Sequence, residues 1–125
     1  MDLDSTDRAT ILFGHGSRDP LWHKPMQAVA ERTRQLDPNT LVRCAYLELT
    51  EPDLPTCVAE LVQAGTRRVN IVPMFLGVGR HAREDLPRLL AELHGMHPQI
   101  EFHLQSAVGE NQQVIDLLAQ IALSD

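Results

Sequence analysis

The sequence predicts a single-domain α/β protein, a three-layer α/β/α sandwich built on a four-stranded parallel sheet. Its 125 residues suffice for one hydrophobic core and are too few for two cores of ordinary size. Strand-like and helix-like segments alternate along the chain, which is typical of a parallel sheet covered by helices on both faces. No apolar run approaches the roughly 18 residues of a membrane span. We therefore expect one domain over residues 1–125, with residues 1–8 as a flexible N-terminal tail.

Four short apolar segments are predicted to be the strands. They are residues 10–13, 41–49, 69–76 and 100–104. Their length suits strands better than helices, and Gly14 gives the first one a clear end. Pro73 lies inside the third segment. Because proline cannot donate a hydrogen bond to a neighbouring strand, we expect a bulge or an early strand end there.

Four further segments have apolar residues on one helical face. They are residues 22–36, 54–62, 86–93 and 114–121. Thr50 is predicted to cap the second helix and Gly65 to end it. Pro87 should lie in the first turn of the third helix, where a missing N–H is tolerated.

Charge and cysteine content restrict the classes of function. A net charge of −6 argues against general nucleic-acid binding, which requires a basic face. The N-terminus is acidic and lacks the basic start and apolar stretch of a secretory signal, so we expect a cytoplasmic protein. Cys44 and Cys57 are too few for a zinc or iron–sulfur site and are expected to be free thiols.

Basic residues nevertheless gather around two predicted loops. They are Arg18, Lys24, Arg80, Arg83 and Arg88. A locally basic opening on an acidic protein suits a small polyanionic substrate. Solvated surface charges with no common role would produce the same pattern, and the residues alone leave both interpretations open.

A histidine follows the first and the third predicted strands, each in a glycine-containing loop. His15 stands between two glycines, and His81 follows the segment 77–79 (GVG). If the two strands are neighbours, both imidazoles project from the carboxyl edge of the sheet, where ligands of such folds bind. Two neutral imidazoles suit Co²⁺, Fe²⁺, Ni²⁺ or Zn²⁺. Alternatively, His15 only supports its loop, or residues 77–79 cradle a phosphate without a standard phosphate-binding spacing.

Glu48 lies among apolar residues near the end of the second predicted strand. A carboxylate in such surroundings can accept or shuttle a proton. The alternative is an ordinary surface glutamate at a strand end. The remaining histidines are weaker metal-ligand candidates. They are His23, His94, His97 and His103.

Three blocks of sequence resemble the short sirohydrochlorin chelatases. Residues 11–20 (ILFGHGSRDP) and 72–87 (VPMFLGVGRHAREDLP) contain the two histidine loops, and residues 46–52 (YLELTEP) match the second-strand motif of that family. The resemblance extends over roughly residues 11–121, which is nearly the whole chain.

The resemblance implies a chelatase-like fold with flavodoxin-like winding. It also implies ATP-independent insertion of a divalent metal, first Co²⁺ and next Fe²⁺ or Ni²⁺, into sirohydrochlorin during cobalamin or siroheme biosynthesis. His15 and His81 would hold the metal as substrate, with no permanently bound cofactor, and Glu48 would assist them in catalysis. Since longer relatives contain two such domains, a homodimer with the active site in the cleft between subunits is expected.

The substrate of this family carries many carboxylates. Arg18, Arg80 and Arg83 would engage them, because guanidinium groups suit carboxylate recognition. Ser17 and Gly79 are the other expected substrate contacts. Neither nucleic acid nor a membrane is expected as a partner.

Two other functions remain open at this stage. A non-catalytic carrier of metal or tetrapyrrole would use the same two histidines. A histidine-dependent phosphohydrolase would place an arginine directly before the histidine, whereas Phe13 and Gly14 precede His15. A serine hydrolase is disfavoured because the sequence lacks a G-x-S-x-G elbow.

Overall fold

The fold is given by a computed structural model that describes residues 7–124, except for the side chain of His81. Residues 1–6, which form most of the expected N-terminal tail, lie outside the described residues. The carbonyl oxygen of Asp7 accepts hydrogen bonds from the amides of Arg67 and Arg68, at 2.8 and 3.0 Å. Asp7 is therefore part of the fold and not of a tail.

Four parallel strands form the central sheet, in the order β2-β1-β3-β4. They are β1 (Arg8–Gly14), β2 (Leu41–Tyr46), β3 (Arg68–Pro73) and β4 (Glu101–Leu104). The predicted four-stranded parallel sheet is thus confirmed, and β1 and β3 are direct neighbours. Two strands end before the predicted residue, β2 at Tyr46 and β3 at Pro73. The early end of β3 agrees with the absence of an N–H on proline.

The described residues also form four α-helices. They are α1 (Lys24–Leu36), α2 (Leu54–Gln63), α3 (Arg80–Met96) and α4 (Gln112–Leu123), and short 3-10 helices precede α1 (Pro20–His23) and α4 (Val108–Glu110). The predicted cap of α2 was wrong. Asp53 caps this helix, because its Oδ1 accepts the amide N–H of Thr56 at 2.9 Å, and Thr50 lies three residues earlier.

Helix α3 begins at Arg80, so Pro87 lies inside the helix. The prediction that Pro87 lies in the first turn was therefore wrong. Pro87 has no N–H to donate to the carbonyl of the preceding turn, and its ring is exposed. The early start buries Ala82 and Leu86 against the core, which offsets the missing hydrogen bond.

The two faces of the sheet are covered unequally. Helices α2 and α3 bury the larger core, which includes Phe13 and Ile71, on one face. On the other face α1 alone covers Leu12 and Val42. The side chains of α4 remain outside both clusters.

The two cysteines are free, as predicted. Cys57 is buried in the larger core, and this burial raises the pKa of its thiol to about 12, so the thiol stays protonated at neutral pH. Cys44 is half-buried, and burial also raises its pKa. Within residues 7–124, no helix combines the length and the hydrophobicity that a bilayer crossing requires.

Candidate metal and substrate site

The loops after β1, β2 and β3 meet at the carboxyl edge of the sheet, where the sequence predicts the site. His15 is the first residue after β1 and its side chain is exposed. The imidazole lies over the ring of Phe75, with 4.4 Å between ring centroids and an interplanar angle of 36°. Among the described residues, no side chain or backbone group forms a hydrogen bond with this exposed imidazole.

The loop after β2 brings Glu48 next to His15. Its amide donates a hydrogen bond to the carbonyl of His15 at 3.0 Å, and the amide of Leu47 donates to the carbonyl of Gly14 at 2.9 Å. These bonds continue the β1–β2 pairing beyond the strands. Glu48 itself is exposed, which agrees with the alternative of a surface glutamate at the strand end and not with a carboxylate enclosed by apolar residues. Leu49 has a φ of 66° and points its side chain to solvent, and it therefore gives Glu48 no apolar cover.

Gly16 permits the close contact between these two loops. Its φ is +96°, in the region that favours glycine, and a Cβ at this position would lie 1.8 Å from the carbonyl oxygen of Glu48. Any other residue would force the loop after β1 away from the loop that carries Glu48.

A second connection between the loops joins the side chains of Thr50 and His23 to the backbone of Ser17, and it was not predicted. The Thr50 hydroxyl donates to the carbonyl of Ser17 at 2.7 Å and accepts the Ser17 amide at 3.0 Å. The Nε2 of His23, which is buried, lies 3.0 Å from the same carbonyl. We call Thr50, Ser17 and His23 the loop latch. Thr50 lies 33 residues from Ser17 and 27 residues from His23 in the chain, so local sequence patterns give no signal for the latch.

The third loop leads from β3 to the first turn of α3. Gly79 is the N-cap residue of α3, and no described side chain accepts a hydrogen bond from the first amides of this helix. The backbone of His81 forms the second residue of α3, but its side chain lies outside the described residues, so the pairing of His15 with His81 remains a prediction. Among the side chains that are described, no group of three or more histidines, cysteines and carboxylates is arranged to hold a metal.

His15, Glu48, Gly79 and Arg80 line one open cleft of 560 Å³, together with Leu47, Ala82 and Asp85. The structure thus brings together four of the predicted site residues. Asp85 was missed, although it follows His81 by four residues, a spacing that places two helical residues on one face. Its Oδ1 accepts a hydrogen bond from Nη2 of Arg88 at 2.9 Å.

The other predicted substrate contacts do not line this cleft. Arg18 and Arg83 are exposed nearby. Ser17 has its backbone groups in the loop latch, and its hydroxyl accepts the amide of Asp19 at 3.1 Å. Of the basic cluster, Arg80 alone reaches the cleft among the described residues. Its side chain is 83% exposed and pairs with Glu84 at 3.4 Å.

Comparison with known proteins identifies the family to which the chain is similar. The family model of CbiX matches residues 9–123. The sirohydrochlorin cobaltochelatase of Methanocaldococcus jannaschii is 34% identical over 89 residues, which are 71% of this chain and 62% of that protein. The chain therefore spans less than two thirds of that relative's length. Other relatives are named sirohydrochlorin ferrochelatases.

Two solved structures are similar over nearly the whole chain. A CbiX protein of cobalamin (vitamin B12) biosynthesis from Marinobacter aquaeolei VT8 is 31% identical with a TM-score of 0.81, and the match covers 92% of this chain and 93% of that one. The sirohydrochlorin chelatase SirB of Bacillus subtilis subspecies spizizenii, in complex with cobalt, is 25% identical with a TM-score of 0.76. That match covers 91% of this chain and 49% of SirB.

Proposed function

Since the chain belongs to the CbiX family, we propose that it inserts a divalent metal into sirohydrochlorin without ATP, in cobalamin or siroheme biosynthesis. The single observation that carries the proposal is the open cleft at the sheet edge. It combines an unpaired exposed imidazole, His15, with the carboxylate of Glu48 and the guanidinium of Arg80. These are the groups needed to hold a metal ion, accept a proton and attract an acidic macrocycle.

We assign the metal to His15 and His81, as substrate and not as a resident cofactor. Imidazole nitrogens bind Co²⁺ and Fe²⁺ well. Two protein ligands leave open coordination positions for the pyrrole nitrogens, which must replace them during transfer. Six relatives are named cobaltochelatases and two are named ferrochelatases, and we therefore keep Co²⁺ as the first candidate, Fe²⁺ as the second and Ni²⁺ as the third.

We assign proton acceptance to Glu48. Metal insertion requires the pyrrole nitrogens to lose protons, and an acceptor must lie within hydrogen-bond reach of them. The carboxylate of Glu48 is exposed in the cleft next to His15, so a macrocycle above the metal can reach it directly. Asp85 lines the same cleft and provides a second carboxylate farther along α3.

We also propose a homodimer in which a second subunit completes the cleft. This chain corresponds to about half of SirB, as one half of a two-part cleft would. Arg80 would bind substrate carboxylates within the cleft. Arg18 and Arg83 would meet those at the periphery, because they stand outside it.

The test is to follow the absorption bands of sirohydrochlorin during incubation with Co²⁺ or Fe²⁺ under anaerobic conditions. The wild-type protein should accelerate insertion over the protein-free rate. Removal of second-shell partners typically costs 10–100-fold in metal sites, so His15→Ala or His81→Ala should each lower the rate by at least about 100-fold. Glu48→Gln should lower the rate while leaving metal affinity within about twofold, because glutamine retains the shape but accepts no proton.

His103→Ala is the matched control, because His103 is an exposed histidine on β4 and does not line the cleft. It should leave the rate unchanged. An equal loss in His103→Ala would refute the assignment to His15 and His81. Tight binding of Co²⁺ with no acceleration by the wild type would replace the chelatase with a metal carrier.

A further inference from the structure

Among the described residues, the imidazole of His15 has one aromatic neighbour, the ring of Phe75. The two ring centroids are 4.4 Å apart and the ring planes meet at 36°. Phe75 is only 5% exposed whereas His15 is exposed, so the imidazole covers a buried ring from outside. Phe75 lies between β3 and α3, in the segment that leads to His81. The first histidine therefore rests on the base of the loop that carries the second.

Phe75 is itself held from two sides. The amide of Met74 donates to the carbonyl of Phe13 at 2.8 Å, and the carbonyl of Phe75 accepts the amide of Gly109 at 2.9 Å. The ring of Phe75 meets the ring of Phe13 edge to face, with 6.2 Å between centroids and an interplanar angle of 66°. Both rings belong to the larger core. The end of β1 and the segment after β4 thus fix the backbone and the ring of Phe75 together.

Gly109 makes the contact from the β4 side possible. A Cβ at this position would lie 1.8 Å from the carbonyl oxygen of Leu76, so only glycine lets the two backbones come this close. Protein interiors are close-packed and transmit strain. A larger residue at position 109 would therefore displace residues 75 and 76, and with them the ring on which His15 rests.

A histidine that binds a metal has to hold one ring orientation. In most metal sites a hydrogen bond from the second ring nitrogen supplies this restraint. The described residues restrain the imidazole of His15 through the face of Phe75 instead. An aromatic pair changes the population of a favoured orientation by roughly 2- to 10-fold. The apparent affinity for a metal falls in proportion to the population of the competent orientation.

We propose that Phe75 is a positioning residue, which fixes the imidazole plane of His15 for metal binding and is itself kept in place by Gly109. The inference rests on the proposed function, in which His15 binds the metal. Phe75 is buried and does not line the cleft, so it acts through the imidazole and not through contact with the substrate. The orientation of one metal ligand then depends on the base of the loop that presents the other.

The first test uses the metal-free protein and does not involve chelatase activity. Protons of an imidazole that lies on an aromatic face are shielded. The ring C–H signals of His15, assigned by their loss in His15→Ala, should therefore lie upfield of those of the exposed His103 in the proton NMR spectrum. Phe75→Leu should remove this shift. A wild-type signal without the shift, or a shift that survives Phe75→Leu, would overturn the proposal.

Phe102→Leu is the matched control. Phe102 packs against the same core and has a histidine of its own, His94, against its ring at 5.1 Å between centroids. The substitution should change the signals of His94 and leave those of His15 in place. Loss of the His15 shift in this control would show that any weakening of the core disturbs the imidazole, which contradicts a specific role for Phe75.

The second test is titration of each variant with Co²⁺ alone. Phe75→Leu should raise the dissociation constant roughly 2- to 10-fold, whereas Phe102→Leu should not change it. Phe75→Met fills the space with a flexible apolar side chain that has no ring and should weaken binding to a similar extent. It takes the place of Phe75→Leu if the leucine variant does not fold. Equal affinities in the wild type and the folded Phe75 variants would refute the inference.

The insertion assay separates this inference from the proposed function. In Phe75→Leu the KM for Co²⁺ should rise, the KM for sirohydrochlorin should stay the same, and saturating Co²⁺ should bring the rate to within about twofold of the wild type. A loss of rate that excess Co²⁺ does not restore would mean a merely structural role for Phe75. If the NMR and Co²⁺ results hold but the wild type does not accelerate insertion, the chelatase proposal fails and the role of Phe75 in metal binding stands.

Discussion

The loops that follow β1 and β3 each carry one of the two histidines, but they are held in different ways. The first loop is bound to its neighbour by backbone hydrogen bonds, by the close contact at Gly16 and by the loop latch. In the other loop, a Cβ on Gly77 or Gly79 would meet no heavy atom of the described residues within 4 Å. The comparison indicates that neighbouring groups fix the backbone at His15, whereas the segment before His81 has room to adjust.

The largest effect should come from Gly16→Ala. Alanine at a φ of +96° is strained by about 1–3 kcal/mol, and its Cβ would displace the loop of Glu48. We expect the free energy of unfolding to fall by at least that amount and the insertion rate by about 100-fold, because a misplacement of about 1 Å can cost that much. Urea denaturation and the absorption assay measure the two effects. An unchanged insertion rate would show that the first loop need not be fixed.

A smaller effect is expected from Thr50→Val, which removes the hydroxyl from the loop latch and keeps the side-chain shape. Two hydrogen bonds to Ser17 are lost, each contributing roughly 0.5–1.5 kcal/mol. The free energy of unfolding should fall by about 1–2 kcal/mol and the insertion rate by roughly tenfold. Thr50→Ser keeps the hydroxyl and should behave nearly as the wild type. Equal behaviour of the valine and serine variants would exclude a role for the latch.

Asp53 caps α2 at the end of the loop that carries Glu48. The contribution of this cap to the free energy of unfolding should depend on pH. Hydrogen bonds from the hydroxyl and the amide of Thr56 lower the pKa of Asp53 below its ordinary value of 3.8. The stabilisation is therefore present above that value and is lost as the pH falls through the lower folded-state pKa. Asp53→Ala should cost about 1 kcal/mol of unfolding free energy at pH 7, as N-cap removal does.

That difference between wild type and alanine variant should shrink below pH 4 when unfolding is measured across the acid range. Asp53→Asn retains the cap without a titratable group and should stay close to the wild type at pH 7. A difference that is the same at pH 3 and pH 7 would exclude an ionic contribution from this cap.

The smallest effect should come from Gly77→Ala in the loop after β3. The added methyl group meets open space and φ at Gly77 is not positive, while alanine restricts the unfolded chain. We expect a change in unfolding free energy between zero and about +1 kcal/mol and an unchanged insertion rate. If Gly77→Ala lowered the unfolding free energy and the insertion rate as much as Gly16→Ala does, the two loops would be equally constrained. The proposed difference between them would then be refuted.

The sheet and the place of the site follow from patterns that are local in the sequence. Short apolar runs alternating with amphipathic ones predict parallel strands, and residues just after strands necessarily gather at one edge. His15 and Glu48 were found in this way. Pro87 and Thr50 were misplaced because burial of Ala82 and Leu86 and a bond to Ser17 decide their positions, and both are tertiary effects.

Helix α4 shows a different limit of prediction from sequence patterns. The spacing of Val114, Leu117, Leu118 and Ile121 correctly predicts a helix with one apolar face. Periodicity does not state which surface covers that face, and it suggested a complete sandwich within one chain. The structure leaves the face open, a result that depends on where the chain leaves the sheet at Gly109.

The anchoring of Asp7 has a practical consequence for handling the protein. Its carbonyl is bound to Arg67 and Arg68 at the amino edge of the sheet, and the seven residues of β1 separate that edge from His15 by roughly 20 Å. An affinity tag, fluorophore or solid support joined upstream of Asp7 would thus face away from the metal cleft. Immobilised preparations for spectroscopy or sensing should be attached through the N-terminal side.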